Sequence, residues 1–135
     1  MRLLAKHKRF VLMIMLFCSS AHSLLCAQAQ QNSTEKLNQA SRKVERAFDQ
    51  NNTDTLASGY FDLGESYYQK GDIAKSESFY KKAKLSYEKT ADADGIAKSS
   101  RALAKVQEEL NKNKDAIGNY AVAQQYNLKT GDNSG

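Results

Sequence analysis

Ala57 to Thr90 reads ASGYFDLGESYYQKGDIAKSESFYKKAKLSYEKT, and its spacing decides the fold. Tyr60, Leu63, Gly64 and Tyr67 fall at i, i+3, i+4 and i+7, the apolar stripe of an amphipathic helix. Lys70-Gly71-Asp72 interrupts that helix. Gly71 suits the left-handed cap conformation, and Asp72 is a ready N-cap for a second helix. Ser76, Phe79, Tyr80 and Ala83 then restart the period, with Tyr87 one turn on. The stretch is an antiparallel helical hairpin with more apolar surface than it can bury by itself.

A neighbour appears one fixed step further along the chain. The step that carries Leu63 to Leu103 also carries Gly64 to Ala104, Ser76 to Ala116, Tyr80 to Tyr120 and Ala83 to Ala123. It carries Lys89-Thr90 to Lys129-Thr130, Asp92 to Asp132 and Gly95 to Gly135 as well. One period shared by helices and linker marks an internal repeat. Upstream, Leu37, Ala40, Val44 and Phe48 recur at helical spacing, so a leading helix is expected over 35–52. Ser33 or Thr34 would cap it, and 30–34 would be a disordered lead-in.

Tyr60-x2-Leu63-Gly64-x2-Tyr67, followed by Ser76-x3-Tyr80 and Ala83, resembles the tetratricopeptide (TPR) repeat. Tyrosine stands for the usual tryptophan, serine for the first alanine of helix B, and Glu88 where proline often stands. The second unit keeps Leu103, Ala104, Ala116, Tyr120 and Ala123 but has Ser100 and Gln107 at two aromatic positions. The 40-residue period is similar to the longer-helix variety of the family. The resemblance implies an all-α, right-handed helical-hairpin solenoid, with repeats at 53–92 and 93–130 and a linker beginning at 131–135. As an array of about two repeats and a leading helix, it reads as incomplete. A homodimer through the uncapped C-terminal face would complete it.

Met1 to Ala29 reads as a secretory signal peptide. Arg2, Lys6, Lys8 and Arg9 precede the apolar run Phe10–Phe17, and Ala27-Gln28-Ala29 offers an A-x-A cleavage site after Ala29. An uncleaved anchor is the other reading. The stretch from Phe10 to Ala27 is short for that and diluted by Ser19, Ser20, His22 and Ser23, where a spanning helix wants about 20 apolar positions. Cleavage implies a periplasmic or secreted protein.

Cleavage also changes the chemistry. The segment takes four of the 20 basic residues and none of the 15 acidic ones, leaving 16 against 15. Nucleic-acid binding then lacks its electrostatic footprint. Cys18, Cys26, His7 and His22 leave as well, so no thiol nucleophile, imidazole base or soft metal ligand stays behind. Neither enzyme activity nor a cofactor or metal is expected. Glu108-Glu109 is near a helix end and Asp92/Asp94 lies in a linker, where capping explains it better than an incomplete calcium loop.

In the family, ligands lie in a concave groove lined by the first helix of each pair. Carried over, the groove positions are Ser58, Phe61, Glu65, Tyr68 and Gln69, then Lys98, Arg101, Lys105, Glu108 and Glu109. Lys98, Arg101 and Lys105 form a basic stripe at i, i+3 and i+7. The partner this implies is a protein or peptide, acidic or with a free carboxylate, with Phe61 and Tyr68 supplying apolar pockets. Phe61 and Glu65 stand where chaperone-binding members carry lysine and asparagine, so that carboxylate clamp is not reproduced. The resemblance has a second implication. Exported arrays of this period occur ahead of a transmembrane helix and histidine kinase in bacterial two-component sensors, and this chain would be the extracytoplasmic part of one.

Overall fold

A computed structural model describes residues 27–131. The predicted signal peptide up to residue 26, with both cysteines and both histidines, lies outside the described residues, as does the linker beyond Gly131. The chain divides into two compact units, Met1–Thr34 and Glu35–Gly135. In the first, the described residues 27–34 are helical, against the expected disordered lead-in. No glycine or proline interrupts 27–49, and Thr34 donates its hydroxyl to the Gln30 carbonyl, so neither Ser33 nor Thr34 serves as a cap.

In the second unit the helical residues 35–49 make up α1. There follow α2 (Thr53–Gln69), α3 (Ile73–Thr90), α4 (Ala93–Glu109) and α5 (Asn113–Thr130). Each packs on the next, giving an all-α stack of helical hairpins.

The starts of α2 to α5, at Thr53, Ile73, Ala93 and Asn113, are evenly spaced because one turn is used at every joint. Asn51, Gly71, Ala91, Asn111 and Gly131 all have positive φ, between 54° and 78°. At four of these joints the next residue's N–H returns to a carbonyl five positions back: Asn52 to Ala47, Asp72 to Tyr67, Asp92 to Tyr87 and Lys112 to Gln107. This is the Schellman pattern, which satisfies otherwise orphaned helix-end carbonyls. The same residue is the N-cap of the following helix. Asn52, Asp72 and Asp92 accept from the backbone N–H three positions on, whereas Lys112 makes no such bond. The backbone thus repeats at half the period that the side chains show.

Between the turns, helices approach over small residues. A Cβ added at Gly64 would stand 2.6 Å from the Tyr80 ring, and one at Gly95 would stand 2.2 Å from the Tyr87 ring. A Cβ at Gly59 would stand 2.8 Å from the Val44 side chain of α1. Ala83, Ala104, Ala116 and Ala123 are buried at the corresponding contacts. Ser76 is tolerated where alanine is usual because it donates to the Gly64 carbonyl at 2.8 Å. Leu63 and Tyr80 are buried, while Tyr60 and Tyr67 are half-buried and pack with Phe79.

Two expected core positions come out differently. Phe48 is 73% exposed, and Ala47 takes its place in the α1 stripe with Ala40. Tyr120 is 37% exposed although it matches buried Tyr80. Tyr80 is enclosed in a core cluster that includes Ile96 and Leu103 of α4, and among the described residues no helix lies beyond α5 in that way.

Candidate functional site

The first helix of each pair, α2 and α4, presents the predicted groove residues, and the structure sorts them into three places. Lys98, Arg101 and Lys105 come together, as their helical spacing requires, along one wall of an open cleft of about 800 Å³. Asp94, Ala97 and Ala102 share that helix, and Tyr120 and Asn127 of α5 form the opposite wall. Glu65 is not part of it. It lines a smaller cleft of about 370 Å³ between α1 and α2, with Lys36, Lys43 and Asp62, the last two paired at 2.7 Å.

Phe61 and Tyr68 are not open pockets. Phe61 is 7% exposed, packed on Tyr80 with ring centroids 5.2 Å apart. The Lys98 ammonium lies 4.3 Å from the Phe61 centroid, and Lys105 lies 4.9 Å from that of Tyr68. Both pairs join one helix to the facing position on its neighbour. The aromatic faces attract the cations and orient them, at about 0.5–1 kcal/mol each for exposed pairs. Sequence reasoning missed this coupling because it takes the two helices' registers to see it.

Glu108 and Glu109, on the last turn of α4, hold two tyrosines. Tyr68 donates to Glu109 from α2, and Tyr120 donates to Glu108 at 2.8 Å from α5. The bond to Glu108 raises the Tyr120 phenol above its ordinary value, with burial adding to it. One end of α4 is therefore acidic and bound to tyrosines, and its middle is basic and lines the large cleft. The remaining predicted positions, Ser58 and Gln69, contribute to neither wall of the large cleft.

A second polar cluster lies across α3, α4 and α5, and the sequence did not announce it. Glu77 is buried, yet pairs with Lys112 at 2.6 Å and Lys81 at 2.8 Å. Burial pushes its carboxyl pKa up, but hydrogen bonds from Lys112 and Lys81 outweigh that and hold it below the ordinary value. Buried Gln107 accepts from Asn119 at 2.8 Å, and Lys84 donates to Asn119 at 2.9 Å. Lys112, which makes no side-chain cap, neutralises this carboxylate. The cluster is satisfied internally and holds the two hairpins in register.

Among the described residues there is no group of three or more His, Cys, Asp or Glu placed to hold a metal, and no helix long and apolar enough to cross a membrane. No family model matches the chain, and neither a curated protein nor a solved structure does.

Proposed function

We propose that this chain is an exported scaffold of the tetratricopeptide type that binds an acidic protein or peptide segment and performs no chemistry itself. The stacked hairpins are a general protein-interaction architecture. The TPR assignment draws support from the 40-residue step, in register across helices and turns. Export draws support from the order of Met1 to Ala29, basic, then apolar, then small.

One observation carries the binding reading. Lys98, Arg101 and Lys105 line one open cleft, and Lys98 and Lys105 are oriented by rings of the neighbouring α2. Pre-oriented cations lose less side-chain freedom when they meet carboxylates. Asp94 is the acidic residue among the cleft's described lining residues.

The test is fluorescence anisotropy with labelled acidic and basic peptide pools against the full chain and its Lys98→Glu/Arg101→Glu/Lys105→Glu variant. Acidic peptides should bind the natural chain, more weakly as salt rises, and the variant should prefer basic ones. Unchanged preference in a folded variant would remove the proposal. N-terminal sequencing of the exported chain should give Gln30 first; a retained Met1 would leave the anchor reading instead.

A further inference from the structure

The large cleft has a counterpart inside the molecule that is already filled. Its lining includes Ala97, Arg101, Tyr120 and Asn127. One repeat earlier these positions are Ala57, Phe61, Tyr80 and Tyr87, all members of the buried core cluster. What buries them includes α4. Ile96, Leu103 and Val106 belong to that cluster, Gly95 packs against the Tyr87 ring, and Lys98 covers Phe61. The cleft on α4 and α5 is thus the same seat one repeat on, and the shape it repeats is a seat for a helix.

The lining has changed its chemistry between the two. Phe61 becomes Arg101 and Tyr87 becomes Asn127, while on the rim Ser58 becomes Lys98 and Glu65 becomes Lys105. The first seat takes the apolar face of α4, with glycine at the closest approach. The second keeps a small floor at Ala97 but rings it with Lys98, Arg101 and Lys105 against the Asp94 carboxylate. Lys98 and Lys105 are two turns apart, about 10 Å along the axis.

We propose that this seat takes an acidic amphipathic α-helix from a partner protein, docked on α4 and α5 as α4 is docked on α2 and α3. Small residues on its inner face would meet Ala97 and Tyr120. Carboxylates spaced i, i+3 or i+4, and i+7 along its flank would meet Lys98, Arg101 and Lys105. This rests on the binding function proposed above and adds that the ligand is helical and lies across α5 as well.

The experiment uses the full chain and three synthetic peptides. One is a side-chain-stapled, alanine-rich helix with glutamates at i, i+4 and i+7. The second has the same glutamates but two interior prolines, which forbid the helix. The third carries lysines for glutamates. Anisotropy gives affinities, and amide chemical shifts map the site. The stapled acidic peptide should bind at least tenfold tighter than the other two and shift Ala97, Tyr120 and Asn127. Ala102→Phe, which fills the seat but leaves all three cations, should weaken it at least tenfold. Should that variant lose its helical circular dichroism, Tyr120→Ala decides instead, because it removes one exposed wall.

Equal binding of the proline peptide, with shifts confined to α2 and α4, would overturn the helical seat and leave the groove function standing. Failure of every acidic peptide would overturn both. A dimer by sedimentation equilibrium, with Tyr120 and Asn127 shifted before any peptide is added, would give the seat to a second copy and overturn the partner helix.

Discussion

Replacing Gly95 by alanine should destabilise this protein, while the same replacement at Gly118 should stabilise it. Both glycines are helical, and in a helix interior alanine is preferred by about 1 kcal/mol. At Gly118, on α5, an added Cβ meets nothing within 4 Å, so the gain is realised. At Gly95 the Cβ would lie 2.2, 2.4 and 2.5 Å from Cδ1, Cγ and Cε1 of Tyr87. These distances are far inside van der Waals contact, and the obstacle is a ring rather than a flexible chain end. Tyr87 is 8% exposed and packs in the core cluster, so it cannot swing away without opening the α3–α4 interface. Overpacking of this kind costs about 1–3 kcal/mol, and Gly95 sits in the first turn of α4, where the propensity gain is smaller. The net expectation is a loss of roughly 1–2 kcal/mol, and at this size each kcal/mol moves the midpoint by about 4–8 °C. Urea and thermal unfolding followed by circular dichroism measure both variants. A double-mutant cycle with Tyr87→Leu isolates the cause, since Gly95→Ala should become harmless once the ring is gone. The same stabilising sign at both glycines, or a penalty at Gly95 that survives removal of the ring, would refute the close approach of α3 and α4.

Three further outcomes follow from the packing. Ala83→Leu, at a fully buried position on α3, should lower stability by about 1–3 kcal/mol; an unchanged melting midpoint would count against the repeat packing. Among the described residues, Ala91 is the one non-glycine, non-asparagine residue held in the left-handed region, at φ 55°, so Ala91→Gly should raise stability by about 0.5–1 kcal/mol in urea titrations. The Tyr80 phenol is pushed up to about 12, by burial first and then by the Glu65 charge. Its folded value lies above its unfolded one, so its contribution is complete below pH 10 and lost as pH rises from 10 towards 12. Tyr80→Phe should flatten that alkaline limb, and a parallel fall in both proteins would place its cause elsewhere.

The hairpins and their 40-residue register were legible because small and aromatic side chains at contact positions repeat in kind: Leu63 with Leu103, Ala83 with Ala123, Gly64 with Ala104. The backbone period of half that length was not. Each turn needs only a residue that tolerates positive φ followed by a capping acceptor, and Asn-Asn, Gly-Asp and Ala-Asp meet that need with different letters. Lys112 hides the fourth turn further, since its side chain is committed to Glu77. The basic stripe was legible as spacing on one helix and is gathered as read. Phe61 was misplaced because a groove position fixes which way a residue faces but not what covers it, and here Lys98 and Tyr80 do. Tyr120 failed for the opposite reason. Its sequence match to Tyr80 is sound, but burial of Tyr80 depends on the cluster it shares with α4.

The places where the two units differ are as ordered as the places where they agree. Positions that hold a hairpin shut keep their type from one unit to the next, because each unit must solve the same packing problem. Positions on the outer side of the second unit do not. Phe61 gives way to Arg101 and Tyr87 to Asn127, and along the second helix buried Glu77 and exposed Lys81 and Glu88 give way to Ile117, Ala121 and Leu128. Random drift on a solvated surface would leave charges scattered over both faces of α5. Instead, from Ala116 to Leu128 that helix carries no charge at all, and the cations stand together on α4 across the cleft. Exposed Ile117 and Leu128 therefore belong to the uncharged stretch of α5, while the cations of α4 are confined to its middle. A surface divided in that way suits a ligand with one acidic flank and one small, apolar face.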